Sequence, residues 1–286
     1  MAGSLSSKRT RVVVTIIPSV ANSLFAETVQ GVSEVLAEAG YQMLIGNTHY
    51  DGEEEGSLVR TLLSWRPAGL ILAGVECSAT IAAMISRASV PTVELWDYVG
   101  RPLDMVVSYS QYRIGWEMTR HLAERGYRRV ALVCGVFTHS DGARARIRDR
   151  EHGYRDAVRK FGLGEPLILR SDEGPLGMSA GARALAVVVE RHPDVDAVFF
   201  LSDFPAAGAL FECRRRDLPV PDGIAIAGWG DYEIASQVVP MLTTVRVPRL
   251  EIGRKAAEML VQRLRGEEVG RAAVELDIEI VQRDST

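Results

Sequence analysis

The sequence predicts an α/β protein made of two doubly wound parallel-sheet subdomains. Three observations predict it. Apolar runs of strand length alternate with helical patterns at a regular beat, which favours parallel strands with helices packed on both faces. The beat restarts after about residue 110. At 286 residues the chain is long for one ordinary domain and sufficient for two, each with its own core.

In chain order, the first half offers strands over 11–17, 41–47, 69–73, 92–95 and 106–108. A helix over 25–39 places Phe25, Val29, Val32 and Leu36 at helical spacing, and Gly40 follows as a C-terminal stop. Another helix over 53–64 ends ahead of Pro67. The second half offers helix 114–125, strand 130–134, helix 151–161, strand 167–169, helix 179–192, strand 197–201, helix 205–215 and strand 224–227. After Leu242 come a strand-like piece over 243–247, an amphipathic helix over 249–265 and a final strand-like piece over 274–281. These extra elements suit a chain that crosses back to the first subdomain and then returns, and multiple crossovers make a hinge that permits closure. The expected division is a disordered leader over 1–10, a first subdomain of 11–109 plus 243–268, and a second of 110–242 plus 269–286, joined near 106–110.

Bulk properties exclude several classes. Hydrophobic content of 47% and charged content of 24% are those of a globular protein, not of a disordered one. A net charge of −4 argues against this chain gripping a polyanion by itself. Cys77, Cys134 and Cys213 are odd in number and lack metal-ligand spacing; Cys134 lies in an apolar run and reads as a buried reduced thiol, which suits a cytoplasmic protein. The amino terminus shows no secretory h-region, and no apolar stretch approaches membrane-spanning length, so no membrane partner is expected. The histidines, His49, His121, His139, His152 and His192, show no ligand spacing and are expected on surfaces or in turns.

No dinucleotide fingerprint or P-loop is present, and no cofactor or metal is expected. Gly177-Met178-Ser179-Ala180-Gly181 matches the serine-hydrolase G-x-S-x-G, but a loop precedes it where that chemistry needs a strand. Ser179 reads instead as a helix N-cap.

Candidate binding residues gather at predicted strand ends, where ligands sit in open α/β sheets. The run 198–201 ends in Ser202 and Asp203, and the run 224–227 ends in Gly228-Trp229-Gly230-Asp231. Trp229 suits either a stacking platform for the apolar face of a sugar or a packing role in the core. The series Arg144, Arg146, Arg148, Arg150 lies between a strand and its helix; a guanidinium there can hold a carboxylate, and a solvated basic loop is the competing reading for two or three of the four. In the segment 18–25, Asn22 or Ser23 can cap the next helix, while Leu24 and Phe25 suit a cleft and Phe25 equally suits the core.

The chain resembles the LacI–GalR family of sugar-responsive repressors, and within it the gluconate-utilisation branch. The resemblance runs from about Arg11 to Val281 and rests on VVVTIIPSVANSLFAETVQGV, LLSWRPAGLIL, VPTVELWD, HLAERGYRRVALV, HGYRDAV, FECRRRDLPVPDGIAIAGW and LTTVRVPRLEIGRKAAEMLVQRLRGE. It implies a periplasmic-binding-protein-like type I fold with three crossovers, a small-molecule effector in the interdomain cleft and a homodimer formed through helices around 54–64, 80–87 and 205–215. It also implies an amino-terminal helix-turn-helix headpiece that reads operator DNA; this sequence begins with the effector core, so as given it is expected to sense ligand without reading an operator.

Position by position, the family's ligand contacts fall on Leu24 and Phe25, on Arg150 and, upstream, Arg144. Trp229 matches the aromatic before the family's effector-binding acid. That acid falls on Gly230, so either Asp231 substitutes for it or the contact is lost. The usual Asn-Asp is Ser202-Asp203, and the usual Asp-Asn after the crossover strand is Ser110-Gln111. Losing acceptor carboxylates while keeping arginines suits an anionic effector such as a sugar acid. The expected function is therefore the ligand-sensing, dimerising core of a repressor, without enzymatic activity. A solute-binding protein for sugar uptake is the alternative, and an enzyme using Ser179 is a third.

Overall fold

The computed structural model describes residues 10–20, 25–49, 51–74, 78–96, 102–135, 141–171 and 177–286. Twelve strands and nine helices appear among them. The chain divides into two compact units, Met1–Tyr109 with Pro248–Leu276 and Ser110–Val247 with Asp277–Thr286, so it passes between them three times.

The first unit holds β1 (Val12–Ile17), α1 (Ala26–Glu38), β2 (Gln42–Asn47), α2 (Gly52–Ser64), β3 (Gly69–Ala73), α3 (Ala79–Ala88), β4 (Thr92–Trp96) and β5 (Met105–Ser108), with α9 (Arg249–Leu264) and β11 (Ala273–Glu275). Its sheet runs β11-β5-β4-β3-β1-β2, and every neighbouring pair is parallel. The second holds α4 (Gln111–Glu124), β6 (Val130–Gly135), α5 (Asp141–Phe161), β7 (Leu167–Ser171), α6 (Met178–Arg191), β8 (Ala197–Phe200), α7 (Asp203–Arg215), β9 (Ala225–Gly230), α8 (Glu233–Gln237), β10 (Thr243–Arg246) and β12 (Glu279–Val281). Its sheet runs β12-β10-β9-β8-β6-β7, the same winding, with only β12 antiparallel.

The strands form where β-branched and apolar runs can be covered on both faces, as parallel sheets require. In the first unit Val14, Ile16, Leu70 and Leu72 meet Val59 and Leu62 of α2 and Ile81 and Ile85 of α3. In the second, Val198, Phe200 and Ile226 pack on Leu185 and Val188 of α6 and Leu210 of α7. Each such aliphatic side chain stabilises its unit by about 1.5–3 kcal/mol relative to exposure.

Three helix pairs are drawn together by reciprocal glycines. A Cβ on Gly31 of α1 would lie 2.3 Å from the Leu250 carbonyl of α9, and one on Gly253 would lie 2.0 Å from the Thr28 carbonyl. Gly115 and Gly153 do the same for α4 and α5, at 1.9 Å from the Arg150 carbonyl and 2.0 Å from that of Tyr112. Gly181 and Gly208 repeat the arrangement between α6 and α7. The α4–α5 contact places Arg150 beside the first turn of α4.

Several sequence expectations change. Residues 243–246 are expected with the first unit, yet β10 pairs with β9 and β12 in the second sheet. Buried Thr243 and Thr244 anchor it there, through Ser285 and Asp203 respectively. The expected strand over 274–281 is two, because its halves pair in different sheets. The arginine series is not a loop: α5 begins at Asp141 and carries all four. Ser179 does not cap α6, whose N-cap is Gly177; the helix starts one residue before Ser179 and leaves the serine inside its first turn. His121 lies in α4, half-buried, with Nε2 3.1 Å from Thr286 Oγ1. The 1–7 leader and Cys77 lie outside the described residues.

Candidate functional site

Parallel strands deliver their carboxyl ends to one edge of each sheet, and the two edges differ in chemistry. In the first unit that edge is aromatic. Phe25, just before α1, stacks on Trp96 at the end of β4, with ring centroids 4.9 Å apart and planes at 27°. Tyr109, after β5, meets the same Trp96 at 6.2 Å and 59°. All three rings are buried. Trp96 adopts φ +80°, a left-handed backbone that bulky residues rarely hold, at a cost of about 1–3 kcal/mol. Phe25, for which the sequence allows cleft or core, is a buried member of an aromatic cluster at the strand ends. Leu24, and the capping candidates Asn22 and Ser23, lie outside the described residues. Phe25 itself is the N-cap of α1, without a side-chain cap bond.

In the second unit the edge is polar. Arg150 is buried in α5, donates from Nε to Gln111 Oε1 at 2.8 Å, and places its guanidinium carbon 3.9 Å from the Trp229 ring centroid. A desolvated cation over an indole face contributes about 2 kcal/mol. Gln111 is the first residue of α4, and its neighbour Ser110 caps that helix, accepting from the Arg113 amide at 3.2 Å. Ser202 caps α7 in the same way, accepting from the Phe204 amide at 3.4 Å. Both serines therefore sit at strand–helix junctions with their oxygens engaged by the helix start.

The helical period separates the arginines. Residues four apart share a face, so Arg146 lies above Arg150, while Arg148 lies opposite and Arg144 about 120° away. Arg144 is exposed, and it is not brought onto the Arg150 face.

Three carboxylates near this edge, Asp203, Asp231 and Glu151, have structural partners. Asp203, fully buried, accepts from Thr244 Oγ1 at 2.5 Å and from the Tyr232 amide at 2.8 Å. Asp231 accepts from Arg246 Nε and from Arg283 Nη2, each at 2.6 Å. Burial pushes the Asp231 carboxyl up, but the hydrogen bonds and charges of Arg283 and Arg246 outweigh it and hold the group below the usual aspartate range. Arg246 in turn contacts Glu279 at 2.8 Å. Asp231 thus ties β9, β10 and β12 together. Glu151, next to Arg150, pairs with Arg170 and accepts from the Cys134 thiol at 3.5 Å.

Gly230 explains why no acid stands there. Its φ is +125°, and a Cβ would lie 2.3 Å from the Tyr232 ring. Tyr232 fills the space and packs on Phe204 at 5.0 Å.

Cys134 and Cys213 are free thiols, each pushed up to about 12, mainly by burial, so both stay protonated at neutral pH and neither is a ready nucleophile. No group of His, Cys, Asp and Glu suited to a metal occurs among the described residues, and no described helix is long and apolar enough to cross a membrane.

Sequence reasoning picks out Arg150 and Trp229, which the structure brings together. It does not assign Gln111, Tyr232, Trp96 or Tyr109 a role. A rule that every strand-terminal aromatic is a candidate would find Trp96 and Tyr109; nothing in the local pattern marks Gln111 as the partner of Arg150.

The fold and its two strand-end edges define a type I periplasmic-binding-protein-like core. Residues 119–286, more than half of the chain, match the family model described as "Periplasmic binding protein-like domain". The chain is 36% identical, over its full length and 81% of the relative's, to the HTH-type transcriptional regulator GntR of Pseudomonas aeruginosa. Among solved structures it is similar to the transcription regulator GntR from Chromobacterium violaceum, with 35% identity, 96% of this chain and 98% of that one covered and a TM-score of 0.86. A LacI-family transcriptional regulator from Silicibacter pomeroyi aligns over 99% of this chain and 84% of its own, with 34% identity and a TM-score of 0.89. The chain belongs to the LacI–GalR family of transcriptional regulators. Its relatives are regulators rather than enzymes, which sets aside the G-x-S-x-G match and favours a regulator over a solute-binding protein.

Proposed function

We propose that this chain is the effector-sensing core of a cytoplasmic repressor whose ligand is a small sugar acid of the gluconate type. The observation that carries the reading is Arg150: a buried guanidinium held by Gln111 and Trp229, while Asp203, Asp231 and Glu151 are engaged by structural partners. A buried guanidinium at an edge whose carboxylates are engaged by other partners favours an oxyanion over a neutral sugar. Arg150, Trp229 and Ser202 of the second unit, with Ser110 at its first helix, are the proposed polar contacts. By the resemblance, Leu24 and Phe25 stand where the family's first-loop ligand contacts fall. Asp231 and Arg144 keep a lesser place, the first as a brace and the second as a peripheral attraction.

The effector acts by binding one conformational state better than another, and linkage makes its effect on operator affinity equal to the operator's effect on its own binding. Operator contacts belong to the helix-turn-helix headpiece that the resemblance implies. Exposed Phe211 on α7 and Trp65 just past α2 fit helix faces that a homodimer covers.

Calorimetric titration with D-gluconate tests the ligand. Wild type is expected to bind, and Arg150→Ala to lose about 30-fold or more, since truncating a buried charged partner costs about 2–5 kcal/mol. Equal affinity in the variant would overturn the assignment. Light scattering on a sizing column is expected to return a dimer at micromolar concentration; a monomer would contradict the homodimer.

A further inference from the structure

We infer that Trp229 reads the effector through its indole N–H and not through its ring face, so that it and Arg150 together form a two-donor seat for one oxyanion. The inference rests on the sugar-acid reading above and assigns Trp229 a different task from sugar stacking.

Two observations carry it. First, one face of the ring is already occupied: Arg150 lies over it with its guanidinium carbon 3.9 Å from the centroid. Stacking needs an open face, and this ring already supports a cation. Second, Trp229 Nε1 is buried and has no hydrogen-bond partner among the described residues. A buried N–H without a partner is costly, and native structures keep few of them without a functional reason. Its neighbours at the same strand ends are satisfied: Arg150 by Gln111, Asp203 by Thr244 and Tyr232, Asp231 by Arg246 and Arg283. The orphan donor therefore sits beside a fixed guanidinium, in a place where no acceptor among the described residues is offered to it.

The neighbouring backbone sharpens the choice of ligand. Trp229 pairs with Val245 of β10, and the next residue, Gly230, cannot carry a side chain because Tyr232 occupies that space. An acid able to accept from sugar hydroxyls is excluded there, whereas the Trp229 N–H stands beside the Arg150 guanidinium. A carboxylate or a phosphate ester has acceptor oxygens for both donors; a neutral polyol offers only weaker ones.

The test uses Trp229→Phe, which keeps an aromatic ring beneath Arg150 and removes the N–H. Three probes are titrated by calorimetry: D-gluconate, D-glucose 6-phosphate and uncharged D-glucitol. The expected result is oxyanion binding to wild type with no comparable binding of D-glucitol. Trp229→Phe should then lose about 10–100-fold, the range for one charge-assisted hydrogen bond, without a lower melting temperature. Preference for the sugar phosphate over gluconate would keep the seat and change the source of its oxyanion. Unchanged affinity in Trp229→Phe would overturn the inference and leave the sugar-acid reading standing. A wild-type chain that takes none of the probes, or takes D-glucitol equally well, would overturn both. Should Trp229→Phe fail to fold, the indole N–H resonance of Trp229 in wild type serves instead, assigned by separate phenylalanine substitutions at Trp65, Trp96 and Trp116. It is expected to shift strongly downfield on saturation, and a stationary resonance would refute the seat.

Discussion

The two sheets share one strand order but finish their strands differently. At the edge of the first, Phe25, Trp96 and Tyr109 make a buried aromatic cluster. At the edge of the second, Arg150, Gln111, Asp203, Asp231, Arg246 and Arg283 make a charged, hydrogen-bonded set, with Trp229 drawn into it as support for a cation. A shared strand order therefore leaves the chemistry of the strand ends to a few terminal residues. The first edge is buried and aromatic, and the second is charged and hydrogen-bonded.

Changes on one edge should leave the signature of the other intact. The largest effect is expected from Phe25→Ala, which removes a buried ring from the aromatic cluster and should destabilise the protein by about 3–5 kcal/mol. Urea denaturation measures that loss. Calorimetry should show the preference for gluconate over D-glucitol retained. If the preference for gluconate disappears, the edges do not divide their roles.

Gly153→Ala comes next. Its Cβ would stand 2.0 Å from the Tyr112 carbonyl, so α5 must move from α4. The expected cost is about 1–3 kcal/mol. Gluconate affinity should fall as well, because the Arg150–Gln111 hydrogen bond depends on that contact. Gly253→Ala, the corresponding change at α1 and α9, should cost similar stability with less effect on charge selectivity.

The smallest effect concerns acid stability. Asp231 has a folded pKa below its unfolded value, so its stabilising contribution is complete above about pH 4 and is lost as pH falls through the folded value. Asp231→Asn should cost about 1–2 kcal/mol at neutral pH and flatten the decline of melting temperature below about pH 4. An unchanged acid limb would mean that Arg246 and Arg283 do not hold this carboxylate in solution.

Much of this contrast is legible in the sequence, and the missing parts share a cause. The strands stand out as apolar runs because parallel strands are buried on both faces, and Gly40, with φ +78°, marks its helix end correctly. An apolar run does not name its partner, however, so nothing local assigns β10 to the second sheet. Residues 141–150 read as a loop because four arginines and two aspartates in ten residues hide the helical period of the few apolar positions. Arg150 and Trp229 can be found singly. Their contact joins residues far apart in the chain, as do those of Asp231 with Arg283 and Arg150 with Gln111. Tertiary packing gives Asp231 two arginine partners and sets Trp229, read from sequence as either a platform or a packing residue, beneath Arg150.

The role of the buried guanidinium is tested most sharply by the ratio of D-gluconate to D-glucitol affinity in wild type and in Arg150→Met, a variant of similar length without charge. A strong preference for gluconate is expected in wild type, collapsing toward unity in Arg150→Met with the fold retained. A preference that survives the loss of the guanidinium would contradict the division of roles between the two edges.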